Sequence, residues 1–414
     1  MGKIKIKNFG PIKDGLLEND GWIDINKVTF FIGNQGSGKS TIAKLISTFA
    51  WIEKALVRGD YDKKWFERQG INRFKSQFLP YHRLDSYLKP DSVIEYQGEA
   101  YSIKYLNESL TISEISNGSY SLPQIMYVPA ERNFLTYIKG AKELKLSSEA
   151  LQEFNTEYYN AQQNMRGAVQ LPINNTVIEY DKLNDTLNLK GDSYKVKITD
   201  ASSGFQSFVP LYLVSDYLAN RVKLHTENKD SMSSEEEIRF KKGVQEIWSN
   251  DSLTDDQKRI AISALSTKFN KTAFINIVEE PEQNLFPSSQ SQMLQSLLAI
   301  NNMTAENKLI VTTHSPYLIN YLTIAIKAKQ VLDNLHDSNR EALSFKIKEL
   351  TTIDSCTNAD EVLIYEMEDK TGLIKLLPKY NELIPSDNNF LNNMLAETND
   401  LFVELQEIEE ENED

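Results

Sequence analysis

Long apolar runs along this chain predict buried strands. Four runs rich in apolar and β-branched residues occur at 28–32, 124–128, 274–278 and 308–313. Runs without polar alternation are typical of strands buried on both faces. Apolar residues at helical spacing follow the first run over 42–52 and the third over 293–298. Strands that alternate with helices predict a parallel core sheet, whose ligands bind at the carboxyl ends of its strands.

Other stretches alternate between polar and apolar residues, which predicts antiparallel strands. Residues 3–7 and 22–32 are strand-like on either side of a turn at 8–11. Residues 92–128 and 175–199 alternate in places. Near the end, a short turn at 369–372 separates two strand-like runs, a spacing that predicts a hairpin.

Polar, mixed-charge stretches predict helical insertions, including one at 225–262 that looks helical from Ser234 onward. The predicted organisation is 1–50 for the N-terminal strands and first helix, 51–90 for a basic and aromatic helical insertion, 91–135 for a β subdomain, 136–222 for a helical and β lobe, 223–265 for a helical insertion, 266–325 for the second half of the core, 326–396 for a C-terminal α/β region, and 397–414 for an acidic tail. The tail contains no Lys or Arg, and we expect it to fray in solvent; a docking role is the less common alternative.

Composition and charge exclude several classes of protein. The 414 residues have the apolar and charged fractions of a globular protein, with a formal net charge of −14. The negative net charge argues against a uniformly basic nucleic-acid binder. The single cysteine, Cys356, cannot form an intrachain disulfide, which fits a reducing cytoplasm. No signal peptide or bilayer-spanning run is apparent, so we expect a cytoplasmic protein without a membrane partner.

Segment 51–90 is locally basic in this acidic chain, and its bases are interspersed with aromatic residues. We favour a helical insertion whose aromatic side chains belong to the core and whose bases are solvated. A surface for a nucleic-acid backbone, with aromatic side chains that stack on bases, is the alternative. An interface for an acidic partner is a third interpretation.

The strongest motif is the stretch Gly33 to Ser40, which fits G-x-x-x-x-G-K-[ST] between a predicted strand and a predicted helix. Such a loop cradles the phosphates of a nucleotide with backbone N–H groups and a helix N-terminus. We therefore predict a bound triphosphate and Mg²⁺. Lys39 is expected to reach the β and γ phosphates and the Ser40 hydroxyl to ligate Mg²⁺. The other candidate contacts in this stretch are Asn34, Gly36, Ser37, Gly38 and Thr41.

Polar side chains also follow the other apolar runs. Glu279 and Glu280 end one strand before Pro281, and His314 follows another in Thr-Thr-His-Ser. Glu131 and Arg132 follow the strand at 124–128, which looks like a strand that delivers side chains to a site. These positions lie at the carboxyl ends of parallel strands, where ligands bind.

These motifs, with Ala201-Ser202-Ser203-Gly204-Phe205-Gln206, occur in the order of the ABC ATPase head. The chain most resembles the soluble ABC-type ATPases of the RecF, SMC and overcoming-lysogenization-defect (OLD) class, over most of residues 1–320. The resemblance implies an α/β fold with a P-loop and a mixed central sheet flanked by helices. It also implies an antiparallel β subdomain and helical insertions.

The resemblance implies a role for each matched residue. Glu279 looks like the acid that holds Mg²⁺ through water, although Asp is the usual residue there. Glu280 resembles the general base for the attacking water, and His314 the switch residue that contacts the γ-phosphate. Glu131 and Arg132 match a Pro-Ala-Glu-Arg motif of the soluble members, where transporters carry a glutamine.

The signature loop of this family caps the γ-phosphate bound by the opposite subunit. Ser202, Ser203, Gly204 and Gln206 match it, in the order Ser-Ser-Gly-Phe-Gln rather than the common Ser-Gly-Gly-x-Gln. The resemblance therefore implies an Mg²⁺-dependent ATPase that forms a homodimer, or a higher homo-oligomer, through composite ATP sites.

Within this class, the chain resembles the ATPase subunits of bacterial anti-phage systems such as AriA of PARIS and PtuA of Septu. OLD-type proteins carry a nuclease domain after the ATPase, and about ninety residues after the His motif are too few for it. We therefore expect a separate effector protein, a nuclease or toxin, and a phage protein or nucleic acid as trigger. The alternative is a RecF-like DNA-repair ATPase. A transporter subunit and a metabolic P-loop kinase fit less well.

Overall fold

The computed structural model describes residues 2–68, 71–115, 120–137, 146, 148–227, 234–250, 258, 265, 271–336, 340–380 and 384–413. Among these residues the strands form a seven-stranded mixed sheet, a five-stranded and a four-stranded antiparallel sheet, and a two-stranded ribbon. The strands are β1 Gly2–Phe9, β2 Gly15–Leu16, β3 Ile23–Ile25, β4 Val28–Gly33, β5 Leu88–Gln97, β6 Tyr101–Leu106, β7 Ser109–Glu114, β8 Pro123–Val128, β9 Val169–Gln170, β10 Val177–Asp181, β11 Thr186–Lys190, β12 Lys195–Lys197, β13 Ala273–Glu279, β14 Lys308–Thr313, β15 Val362–Met367, β16 Leu373–Leu376, β17 Lys379–Tyr380 and β18 Ile384–Pro385.

The helices lie between these strands. They are α1 Lys39–Arg58, α2 Lys63–Phe66, α3 Phe134–Tyr137, α4 Glu149–Asn164, α5 Ser203–Thr226, α6 Ser234–Trp248, α7 Pro287–Asn301, α8 Pro316–Asp333, α9 Arg340–Leu350 and α10 Phe390–Glu413. Much of the insertion predicted at 225–262 lies outside the described residues, whereas α6 is helical from Ser234 as predicted.

The mixed sheet has the strand order β2-β16-β15-β4-β14-β13-β8. Its strands β8, β13, β14, β4 and β15 are parallel, because each neighbouring pair is joined in parallel register. Strand β4 is buried at every position, as its continuous apolar run predicts. The carboxyl ends of these strands therefore meet at one edge, where the predicted site residues follow them.

The five-stranded antiparallel sheet has the order β3-β1-β5-β6-β7. Its strand β1 alternates between buried and less buried residues, which is the pattern of a strand with one face in the core. Helix α1 packs its apolar face with this sheet and the mixed sheet in one hydrophobic cluster. The single strand-like stretch predicted at 22–32 is in fact two strands, because β3 joins the antiparallel sheet and β4 the mixed sheet.

The opposite face of the mixed sheet is covered by a second cluster. Helices α5, α7 and α8 supply most of its buried helical side chains, together with part of α4. The four-stranded sheet, of order β12-β11-β10-β9, adds residues such as Ile178 and Leu189 to the same cluster. The α/β class, the mixed core and the antiparallel subdomain are confirmed, and so is the C-terminal hairpin of β15 and β16.

Most of the aromatic residues of 51–90 are buried or half-buried, and two of them are exposed. Phe66 and Phe74 are almost fully buried, and Trp65 packs edge-on against Phe66 with ring centroids 5.0 Å apart. The Arg73 guanidinium lies over the Trp65 ring at 4.3 Å. The structure thus supports the structural interpretation of these aromatic residues.

The acidic tail is helical rather than frayed, since α10 runs from Phe390 to Glu413. Its first turn is anchored: the Phe390 N–H donates to Glu366 Oε1 at 2.6 Å, and Leu391 is buried in the core. Among the described residues, no helix combines the length and apolar content that crossing a bilayer requires.

Candidate active site

The phosphate loop joins the end of β4 to the start of α1. Glycine is favoured sterically at two positions of this loop. Gly33 and Gly38 have φ of 144° and 101°, values that residues with a side chain rarely adopt. A Cβ on Gly33 would lie 2.2 Å from the Met367 carbonyl oxygen, so the loop passes too close to β15 for a side chain. Gly36 also has a positive φ of 77°, and it faces open space.

The remaining loop residues surround Lys39. Asn34 is exposed, while Ser37 and Thr41 are buried and Ser40 is half-buried on the first turn of α1. Lys39 Nζ donates to the carbonyl oxygens of Gly33 at 2.9 Å and Asn34 at 2.7 Å. Burial lowers the pKa of Lys39 to about 8, although nearby carboxylates oppose the shift, Glu280 most strongly. A buried ammonium whose shortest hydrogen bonds go to neutral carbonyl oxygens is suited to an anionic ligand.

Glu280 and His314 converge on Lys39 from the ends of β13 and β14. Lys39 Nζ lies 3.4 Å from His314 Nδ1, and His314 Nε2 lies 3.5 Å from Glu280 Oε1. An ammonium has no acceptor, so Nδ1 accepts from Lys39 and the ring proton on Nε2 faces the carboxylate. The hydrogen bond from His314 lowers the pKa of Glu280, which keeps this carboxylate ionised at neutral pH.

Backbone geometry at the end of β13 fixes the direction of these carboxylates. Glu280 has a φ of 43°, and its N–H donates to the Thr312 carbonyl at 2.9 Å. A positive φ is unusual for a residue with a side chain, and such conformations cluster at functional sites. This turn aims Glu280 toward His314.

Glu279 fits a magnesium ligand. Its side chain is only 4% exposed, Oε2 accepts weakly from the Ala130 N–H at 3.4 Å, and Oε1 has no hydrogen-bond partner among the described residues. Burial, followed by the charge of Glu279, raises the pKa of the neighbouring Tyr127. One buried carboxylate oxygen with unused capacity suits Mg²⁺, which binds few protein ligands besides phosphate and water.

Arg132 lies behind the carboxylates rather than among exposed groups. It is fully buried, and its guanidinium donates to the carbonyl oxygens of Glu279 and Glu280 at 2.7 Å each. It also donates to the Ser207 carbonyl of α5 at 3.1 Å. Burial lowers the pKa of Arg132 to about 10. Arg132 therefore joins the carboxylate turn to α5, which makes it a positioning residue, whereas its neighbour Glu131 is exposed.

The signature stretch begins α5 and is only partly accessible. Ser202 occupies the N-cap position without a side-chain capping hydrogen bond, and both Ser202 and Ser203 are exposed. Gly204 is buried, since a Cβ there would lie 2.8 Å from the Asn284 carbonyl oxygen. The Gln206 side chain is turned inward, and its Nε2 donates to the Thr199 carbonyl at 2.9 Å. The described residues show no hydrogen bond between this stretch and the phosphate loop.

Two further acidic residues adjoin the site without having been predicted. Glu282 Oε1 accepts the His314 N–H at 2.7 Å, and burial raises the pKa of this carboxyl. Asp369 Oδ2 accepts from Asn34 Nδ2 at 3.3 Å across the turn of the β15–β16 hairpin. Glu282 belongs to the same acidic motif as Glu280, but nothing local in the sequence connects Asp369 with a loop 335 residues earlier.

Comparison with known proteins gives structural likeness alone. No protein-family model matches the chain, and no curated protein matches it. An SMC head domain from Thermotoga maritima is similar at a TM-score of 0.37 and 12% identity, over 91% of this chain and 98% of that one. A dimeric ATP-binding cassette bound to ADP and Pi, in a post-hydrolysis state, is similar at a TM-score of 0.29 and 11% identity, over 92% of this chain and 100% of that one.

The order of elements agrees with the order of motifs on which the predicted fold rests. The phosphate loop lies between β4 and α1, and the antiparallel sheet packs on α1. Helix α5 begins at the signature stretch, and β13 and β14 end in the carboxylates and the histidine. The predicted fold is therefore confirmed, while the role of each site residue remains a prediction.

Proposed function

We propose that this protein is an Mg²⁺-dependent ATPase whose complete sites form between two copies of the chain. The observation that carries the proposal is the contact of Lys39, His314 and Glu280 at the start of α1. A triphosphate would replace the loop carbonyls as the partner of Lys39. Ser40 and Glu279 would hold Mg²⁺, which would neutralise charge on the phosphates.

In the hydrolysis step, Glu280 would orient a water molecule and accept its proton as the water oxygen bonds to the γ-phosphorus. The bond from the γ-phosphorus to the β–γ bridging oxygen would break at the same time, with ADP as the leaving group. The low pKa of Glu280 favours the ionised, proton-accepting form. His314 donates through Nε2–H, and in the bound state this proton can turn from Glu280 to a γ-phosphate oxygen. Positioning and charge stabilisation of this kind account for most of the catalysis in phosphoryl transfer.

The exposed start of α5 supports the dimeric arrangement. Ser202 and Ser203 present hydroxyl groups at the positive end of a 24-residue helix. Such an end binds anions. In the proposed dimer, these hydroxyls and N–H groups would cap the γ-phosphate held by the phosphate loop of the other copy.

A complementation experiment tests the composite site. Lys39→Ala and Ser203→Arg should each abolish hydrolysis when assayed alone. In a mixture, each heterodimer combines one intact phosphate loop with one intact signature stretch, so about one quarter of wild-type activity should return. Lack of recovery by a mixture of two folded variants, or full wild-type activity in a monomer at any dilution, would contradict the proposal.

We further propose that the ATPase is a scaffold that controls a separate nuclease or toxin in bacterial defence against phage. The support is the resemblance of its motifs to the ATPase subunits of such systems. Co-expression with the product of the adjacent gene tests this role. A stable complex and protection against phage are expected; purification of the chain alone, without protection, would contradict it.

A RecF-like DNA-binding ATPase is the second candidate. The observation that favours it is the group of exposed bases on segment 51–90, namely Lys64, Arg68, Lys75, Arg83 and Lys89. This function predicts hydrolysis stimulated by DNA and DNA binding that weakens steeply with salt. Equal turnover with and without DNA would reject it.

A further inference from the structure

The C-terminal helix α10 leaves the body of the protein after its first turn. Every described side chain from Asn393 to Glu409 is exposed, whereas Leu391 is buried. At 1.5 Å per residue, the exposed part is about 25 Å long. A single helix of this length is marginal in water without packing. A packing partner would therefore stabilise it.

The exposed part of α10 carries an apolar stripe. Met394, Leu401, Leu405 and Ile408 recur at intervals of seven, four and three residues, which places them on one helix face. They are 49%, 55%, 64% and 60% exposed, respectively. A soluble surface rarely leaves several large apolar residues contiguous unless they bind something.

Charge restricts what can cover this stripe. The helix contains no Lys, Arg or His, and acidic residues lie along one flank of the stripe at 397, 400, 404 and 407. A second copy of α10 would supply only further negative charge, and like charges across a helix pair are destabilising. A partner with an apolar groove would bury the stripe, and basic residues along that groove would pair with the acidic flank.

The attachment of α10 connects this stripe to the candidate active site. Glu366, which accepts the Phe390 N–H, lies on β15 opposite Ile32 of β4. The next residue, Met367, lies opposite Gly33, the first residue of the phosphate loop. The start of α10 is thus hydrogen-bonded to β15, which pairs with the strand that leads into the phosphate loop.

We propose that α10 is the docking helix for the separate effector protein, and that it inserts its apolar stripe into a basic groove of that protein. This inference rests on the proposed effector-scaffold function. It adds the surface used and the chemistry of the partner: apolar side chains at the centre of the groove and Lys or Arg along one rim.

The test uses the full chain co-expressed with the product of the adjacent gene, with the dissociation constant measured for the purified pair. Leu405→Asp should weaken the complex by at least about 100-fold, as expected for a central anchor. Val403→Asp is the matched control, because Val403 is 50% exposed but lies on the opposite face of the helix. Glu404→Lys should weaken the complex by about tenfold at low salt, and less at high salt.

The outcomes separate this inference from the function on which it rests. The docking role is supported if Leu405→Asp weakens the complex while Val403→Asp binds like the wild type. Both variants should retain ATPase activity. Wild-type affinity in Leu405→Asp overturns the docking role and leaves the effector scaffold standing. No complex with the wild-type chain overturns both. A nucleotide-free homo-oligomer that dissociates in Leu405→Asp identifies a second copy as the occupant, which also overturns the inference.

Discussion

The two sides of the proposed ATP site differ in how fully one chain builds them. On the phosphate side, Lys39, His314 and Glu280 already contact one another. The buried Arg132 guanidinium also donates to the backbone carbonyl of Glu280. On the signature side, Ser202 and Ser203 are exposed at the start of α5. The same chain therefore preorganises the groups that are proposed to hold the phosphates and exposes the groups that are proposed to cap them. Four experiments test the preorganised phosphate side of this contrast.

Glu280→Gln should have the largest effect. It preserves shape but cannot accept the proton of water, so turnover should fall by about 10²- to 10⁴-fold. ATP binding should remain, and the ATP-bound dimer should persist in light-scattering measurements because it cannot hydrolyse its nucleotide. The control is Glu306→Gln, at an exposed carboxylate away from these contacts. Normal turnover by Glu280→Gln would remove the base assignment.

Arg132→Met tests the support behind the phosphate side. The substitution leaves the carbonyl oxygens of Glu279, Glu280 and Ser207 without their donor in the interior. We expect the free energy of unfolding, measured in urea, to fall by about 3 kcal/mol. Arg132→Lys keeps one charged donor nitrogen and should recover part of the lost free energy of unfolding. Unchanged stability in Arg132→Met would show that these bonds do not hold the carboxylate turn.

The pH dependence of ATP binding tests the buried Lys39. Its pKa of about 8 lies below the ordinary 10.5, so the free protein loses this proton as pH rises above 8. ATP favours the charged form, so binding takes up a proton, and affinity should fall by about tenfold per pH unit above pH 8. Calorimetry at pH 9 in buffers of different ionisation enthalpy measures the uptake. In Lys39→Arg the charge persists and the pH dependence should vanish; a pH-independent wild type would contradict the shift.

Asp369→Asn should have the smallest effect. Asp369 is exposed and its charge acts on Lys39, so the carboxylate would repel a bound triphosphate weakly. Its removal should tighten ATP binding by roughly two- to fivefold at low salt, and the gain should shrink as salt rises. Glu368→Gln, one residue earlier, is the matched control. Weaker binding by Asp369→Asn would instead show that its bond to Asn34 shapes the loop.

Local sequence was enough to predict the core of the fold and the phosphate side of the site. Continuous apolar runs marked β4, β8, β13 and β14, because strands buried on both faces need no polar alternation. Glu280 and His314 follow such strands directly, and Lys39 follows β4 after the phosphate loop. Their convergence could be predicted because the carboxyl ends of parallel strands lie at one edge.

Tertiary contacts decided the features that sequence could not predict. Charge alone does not show that the Arg132 guanidinium turns toward backbone carbonyls, or that Gln206 points inward. Asp369 adjoins Asn34 only because β15 pairs with β4. The acidic tail was expected to fray on composition, but its apolar residues at helical spacing are compatible with the long helix α10.

The close passage of Gly33 beside the Met367 carbonyl has a consequence for biosynthesis. The phosphate loop emerges from the ribosome more than 300 residues before β15, one of the two strands that pair with β4. A nascent chain therefore carries the loop sequence long before β15 can hold it in place. Stable capture of ATP by the proposed site is expected only after β15 has emerged from the ribosome, so incomplete chains would not compete with finished ones for nucleotide or for assembly.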